Sequence, residues 1–183
     1  MNAFSLVIPY FNEGPTIVRT INEYGDKLSE LNIEFEIIIV DDGSELKANS
    51  FVNSSTYKNK LITHKKNRGY GSAISTGICN SKYQNIIITD SDNTYPAESL
   101  KKMIANYQEN EPCMVVASRE GKGVKIPIQR RPAKFFLRKL ASYLCNLDIR
   151  DLNSGLRIFK KDFYMESIKL MPKRFSMTST ITI

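Results

Sequence analysis

Histidine is nearly absent from this chain of 183 residues, His64 being its only one. That leaves no histidine-based zinc site and no basis for a Ser-His-Asp triad. Cysteine is scarce too: Cys79, Cys113 and Cys145 are odd in number and widely spaced. They offer neither metal-ligand spacing nor a disulfide framework, so a reducing cytosol is the natural setting. No apolar run approaches the ~20 residues needed to span a bilayer. No secretory leader separates Met1 from the first apolar run, and a soluble or peripheral chain is expected. The first apolar run is not followed by a glycine-rich basic loop, which argues against nucleotidyl transfer. Internal repeats, low-complexity tracts and linkers are missing, and the length suits one domain over 1–183.

What is present is ordinary for a globular protein, with 42% hydrophobic and 25% charged residues. The formal net charge of +7 favours anionic partners, or serves solubility in general. Its distribution says more: Arg119, Lys122, Lys125, Arg130, Arg131, Lys134, Arg138 and Lys139 fall in one stretch. Within it, 132–147 reads as an amphipathic helix whose Phe135, Phe136, Leu137, Leu140, Tyr143 and Leu144 form the apolar side. Such a helix suits an anionic membrane interface, or a core helix with a charged outer face. Nucleic-acid binding would rest on charge alone and is not expected.

Near-continuous apolar runs at 4–8, 35–40, 61–63, 86–89 and 114–117 predict buried strands of a parallel sheet. Helical patterns at 16–31, 70–80 and 97–107 lie between them, with Pro15 and Pro96 near two of the starts. The alternation predicts an α/β fold, a mostly parallel open sheet flanked by helices. The tail Phe175 to Ile183 begins an apolar, β-branched element; it reads as a truncated element or as an edge strand, and truncation is the expectation.

Open α/β sheets bind ligands beyond the carboxyl ends of their strands, and acidic or turn residues recur there. Asp90-Ser91-Asp92 follows the run ending in Thr89. Two carboxylates flanking one residue give two hard oxygen ligands to one Mg²⁺ or Mn²⁺, which keeps other positions for water and phosphate oxygens. An acidic turn after a strand would look the same. Asp41-Asp42-Gly43-Ser44 ends the second run and either brings a carboxylate to a nucleoside or makes an ordinary Asp-Gly turn. In Pro9-Tyr10-Phe11-Asn12-Glu13, Phe11 can wall a base and Glu13 can accept from a ribose, or Asn12 can cap the next helix with Glu13 in its first turn.

Asn67-Arg68-Gly69-Tyr70-Gly71-Ser72-Ala73 lacks the third glycine of a dinucleotide fingerprint. It remains a basic helix start in which Arg68 either contacts a diphosphate or is solvated. Arg119 follows the fifth strand. In Asp151-Leu152-Asn153-Ser154-Gly155-Leu156-Arg157, the arginine can fork onto phosphate or pair with Asp151.

Taken in order, VIPYFNE, VDDGS, NRGYGSA, TDSDNTYP and DLNSGLRIFKK resemble the family 2 glycosyltransferases of the A-type nucleotide-sugar fold (GT-A). The branch most resembled is that of dolichol-phosphate mannose synthases and polyprenyl-phosphate glycosyltransferases. The resemblance covers residue 4 to about residue 182. It implies inverting transfer of a hexosyl group from a GDP- or UDP-sugar to a polyprenyl or dolichyl phosphate, with Mg²⁺ or Mn²⁺, at the cytoplasmic face of a membrane. By position, Pro9, Phe11, Glu13, Val40 and Asp42 match nucleoside-binding residues. Asp90 and Asp92, with Ser91 between them, match the metal and diphosphate site, to which Arg68 is a further candidate. Arg119, and Arg130 or Arg131, resemble residues that hold a phosphate, while Asp151, Ser154 and Arg157 match the acceptor-side motif. The catalytic candidates are therefore Asp90, Asp92, Asp151 and Arg119. Phe11 stands where many relatives carry Tyr, and Thr94 where the mannose synthases often carry Gln. Transfer to a cell-surface glycan, or a non-catalytic nucleotide-sugar-binding fragment, are the alternatives.

Overall fold

In this computed structural model, residues 3–117, 142–143, 154–173 and 177–181 are described. The strands are β1 (Ala3–Tyr10), β2 (Glu34–Asp41), β3 (Asn59–Thr63), β4 (Asn85–Ile88), β5 (Met114–Val116) and β6 (Arg157–Lys160). They form one sheet in the order β3-β2-β1-β4-β6-β5. β1 to β4 pair in parallel, whereas β6 is antiparallel to both β4 and β5. This is the mostly parallel open sheet expected from the sequence, with one reversed strand.

The helices are α1 (Thr16–Glu30), α2 (Asn49–Val52), α3 (Tyr70–Cys79), α4 (Ser99–Asn110), α5 (Lys161–Ser167) and α6 (Met177–Thr180). Every residue of β1 is buried because both faces of the sheet are covered. Phe4, Leu6, Ile8 and Tyr10 point to the face where Ile17, Ile21, Tyr24 and Leu28 of α1 meet Leu100, Met103 and Ile104 of α4. Val7, on the opposite face, packs with Ile74 and Ile78 of α3, Tyr164 of α5 and Met177 of α6. Alternation along the strand therefore feeds two cores, and each fully buried aliphatic side chain contributes about 1.5–3 kcal/mol. That double burial is the reason the strand sequences read as continuous apolar runs.

Two local alternatives are excluded. Asn12 does not cap α1, whose N-cap residue is Pro15 with no side-chain cap bond. Asn12 instead adopts a left-handed φ of 59°, and its Oδ1 accepts the N–H groups of Glu45 and Leu46 at 2.9 and 3.1 Å. It stitches the loop after β1 to the loop after β2, a tertiary role that outweighs local capping. Within the tail, the described residues 177–181 form no edge strand: Met177–Thr180 is helical, and Met177 and Ile181 are buried in the core on the α3 side. Burial against a helix overrides the β-branched composition there. Among the described residues, no helix is long and apolar enough to cross a membrane. The expected helix at 132–147 lies outside the described residues, apart from 142–143.

Candidate active site

Three strand ends open into one cleft of about 640 Å³. β2 and β3 lie on one side of β1, and the chain then crosses to place β4 on the other. The cleft sits at that reversal, the usual ligand position in such sheets. Pro9, Tyr10, Phe11 and Glu13 line it from the end of β1, and Asp42 lines it from the end of β2. Asp90, Ser91 and Asp92 contribute from the end of β4; Asn67, Gly69, Tyr70 and Ala73 from the start of α3; and Gly155 and Thr178 from late in the chain.

Asp42 is 3% exposed and is held by three donors. Its Oδ1 accepts from His64 Nδ1 at 2.6 Å and from the Arg68 N–H at 2.9 Å. Its Oδ2 accepts the Gly69 N–H at 2.7 Å. The carboxylate thus binds two N–H groups just ahead of α3, placing negative charge at the N-terminal end of the helix. His64 Nε2 lies 3.0 Å from Thr76 Oγ1, so α3 also anchors the imidazole. Gly43, with φ of 74°, makes the turn after Asp42. A β-carbon at Gly43 would run into the backbone of Lys66 and Asn67, so only glycine lets the loop before α3 close on this turn.

Asp90 is placed by different means. The Tyr70 hydroxyl donates to Asp90 Oδ1 at 2.9 Å. On another side, a β-carbon at Gly155 would collide with the Asp90 carboxylate. The Gly155 N–H donates to the Tyr95 hydroxyl at 2.6 Å, which fixes that wall. Burial and the charge of Asp90 push the Tyr70 phenol well above its ordinary pKa, so it remains a donor. Asp92 is exposed and accepts the Thr94 N–H at 2.9 Å. Desolvation, and then the nearby charge of Asp92, raise the pKa of Glu13. Negative charge is therefore concentrated on one side of the cleft.

No group of three or more His, Cys, Asp or Glu side chains that could hold a metal ion occurs among the described residues. The donor set that is present, two aspartates at the end of β4, fits a hard divalent cation that completes its shell with phosphate oxygens and water. Mg²⁺ and Mn²⁺ have that chemistry, and Asp90 and Asp92 are the residues that would hold either.

Among the other candidates, Phe11 leaves 46% of its surface to solvent at the cleft rim. Ser91 is buried, and its carbonyl accepts the Thr20 hydroxyl at 3.2 Å. Val40 is fully buried and packs with Ala73 below the cleft. The Arg68 side chain is exposed, and its backbone N–H serves Asp42. Ser154 and Arg157 are fully buried. Arg157 Nε donates to the Ser154 carbonyl at 2.9 Å, and its positive charge acts on the Tyr70 phenol. Arg119, Arg130, Arg131 and Asp151 lie outside the described residues. Sequence reasoning passed over His64, Tyr70 and Gly155. His64 directly follows β3, at a strand carboxyl end like the other motifs, and that position was the available signal.

The chain is 30% identical over 176 residues to a prophage bactoprenol glucosyl transferase homolog of Escherichia coli (strain K12), covering 93% of this chain and 56% of that protein. It is 29% identical over 193 residues to a dolichol-phosphate mannosyltransferase of Pyrococcus furiosus, covering 98% of this chain and 52% of that protein. It therefore spans about half the length of the curated relatives it matches. A crystal structure of the M. tuberculosis glucosyl-3-phosphoglycerate synthase with Mn²⁺, UDP and glucosyl-3-phosphoglycerate is similar with a TM-score of 0.75 at 17% identity, over 99% of this chain and 64% of that one. That likeness establishes the fold alone, the GT-A arrangement expected from the sequence. Residues 5–167 match the family model described as Glycosyl transferase family 2. The chain belongs to glycosyl transferase family 2.

Proposed function

We propose that this chain binds a GDP- or UDP-sugar and transfers the hexosyl group, with inversion, to a polyprenyl or dolichyl phosphate. The observation that carries the reading is the convergence of Asp42, Asp90 and Asp92 on one cleft from two different strand ends. The names of the bactoprenol and dolichyl relatives favour a lipid phosphate as acceptor. Such an acceptor brings the reaction to a membrane surface.

In this reading the acceptor phosphate oxygen attacks the anomeric carbon from the face opposite the leaving group. The bond from that carbon to the donor diphosphate breaks, and the nucleotide diphosphate departs with the electron pair. Pro9, Phe11, Glu13 and Asp42 bind the nucleoside, and Asp90 and Asp92 orient the diphosphate end. Asp90 and Asp92 would hold Mg²⁺ or Mn²⁺, which would supply charge stabilisation to the leaving diphosphate. Arg119 and Arg131 hold phosphate groups. A phosphate acceptor is already ionised near neutral pH and needs no general base; Asp151 is the candidate base for a hydroxyl acceptor.

Incubating the protein with labelled UDP-glucose or GDP-mannose, Mn²⁺ and a polyprenyl phosphate tests this directly. Label in the organic phase, in a product that releases sugar on mild acid, is the expected result. Label confined to free sugar or to an oligosaccharide acceptor would overturn the assignment of the acceptor.

A further inference from the structure

The chain entering α3 touches both acidic strand ends of the cleft. The N–H groups of Arg68 and Gly69 bind Asp42, and the side chain of the next residue, Tyr70, reaches Asp90 Oδ1 at 2.9 Å. Asp42 and Asp90 follow β2 and β4, which are separated in the sheet by β1. One turn of chain thus ties together two carboxylates that the sheet holds apart.

Asp90 has little rotational freedom in this setting. The phenol fixes one oxygen, and the Gly155 backbone lies so close that a β-carbon there would overlap the carboxylate. Asp90 lines the cleft while it is bonded to the phenol. Asp92 differs: it is exposed, and its partner, the Thr94 N–H, lies two residues away. Side chains that orient a metal-binding carboxylate commonly tune the affinity of the site.

We propose that Tyr70 is a positioning residue that sets the divalent-cation affinity of the cleft by fixing the orientation of Asp90. This rests on the reading of Asp90 and Asp92 as the cation-binding pair. Tyr70→Phe keeps the partly buried ring and removes the donor. Mn²⁺ affinity would be read from the electron paramagnetic resonance signal of free Mn²⁺, in the presence of UDP, or of GDP where UDP does not bind. Nucleotide affinity without metal would be read by calorimetry in EDTA, and folding by circular dichroism. The expected result for Tyr70→Phe is Mn²⁺ binding weakened about 10–100-fold, with metal-free nucleotide affinity unchanged. Gly155→Ala, which crowds Asp90 from another side, should give the same split and serves if the phenylalanine variant does not fold. Mn²⁺ affinity within twofold of the wild type in the folded variant would overturn the proposal, as would equal loss of metal and metal-free nucleotide binding. If the wild type binds Mn²⁺ and Asp92→Asn abolishes it while Tyr70→Phe does not change it, the cation reading survives and the role of Tyr70 falls. A wild type that binds no Mn²⁺ overturns both.

Discussion

Replacing Asp42 by Asn removes the charge from a carboxylate that receives three donors, and the cost follows from counting acceptors. Asparagine keeps one acceptor oxygen. Placed at Oδ1, it still serves His64 Nδ1 and the Arg68 N–H, but its NH₂ group then faces the Gly69 N–H. Flipped, it serves Gly69 and opposes the other two donors. At best one part-buried donor loses its partner, at about 1–3 kcal/mol. Loss of the negative charge at the start of α3 adds about 0.3–1 kcal/mol. The expected destabilisation is therefore ~2 kcal/mol or more, which for a domain of this size lowers Tm by about 4–8 °C. Equilibrium urea unfolding followed by circular dichroism measures it. Asp92→Asn is the control, because Asp92 is exposed and an Asn Oδ1 can still accept the Thr94 N–H; it should stay within about 0.5 kcal/mol of the wild type. Equal stabilities for the two variants would refute the view of Asp42 as an anchor for the chain that enters α3.

The imidazole that supports Asp42 can be tested by size and by donor. His64→Leu should cost about 1–3 kcal/mol by removing one of the donors to a buried carboxylate, whereas His64→Asn, whose side-chain N–H can take the place of Nδ1, should recover part of that loss in the same unfolding assay. Glu13 gives a prediction in pH. Its carboxyl pKa is raised first by burial and then by Asp92, so the folded protein holds this proton more tightly than the unfolded chain. Its contribution to stability is therefore full below the ordinary carboxylate pKa and is lost as pH rises through the raised value. Asp92→Asn should move the Glu13 carboxyl titration, followed by carbon NMR, part of the way back down; an unmoved midpoint would contradict the proximity of the two charges.

The sheet was legible because each central strand is buried on two faces, so its apolar run is unbroken and the following motif falls at its carboxyl end. Asp90 and Asp92 were legible for the same reason, their position being fixed by β4. β6 was less so: it begins with Arg157, a charged residue that is fully buried, and its reversed direction depends on a chain path far from its own sequence. Nor could the local sequence reveal the partners of Asp42, since Arg68 and Gly69 are 26 and 27 residues away. Asn12 carries a strong capping signal, yet its side chain bonds to a loop 33 and 34 residues distant. For Asp42 and Asn12 a tertiary hydrogen bond decided what local propensity could not. The glycine at 155 shows the same limit, because its need is set by a carboxylate from another strand.

Nucleotide diphosphate binding with and without Mn²⁺, measured by calorimetry on the wild type and on Asp92→Asn, tests the central claim most directly. The account predicts saturable binding of UDP or GDP by the wild type that tightens with Mn²⁺, and a folded Asp92→Asn protein in which the metal no longer helps. Absence of binding to either nucleotide, or Mn²⁺ enhancement that survives in the variant, would contradict it.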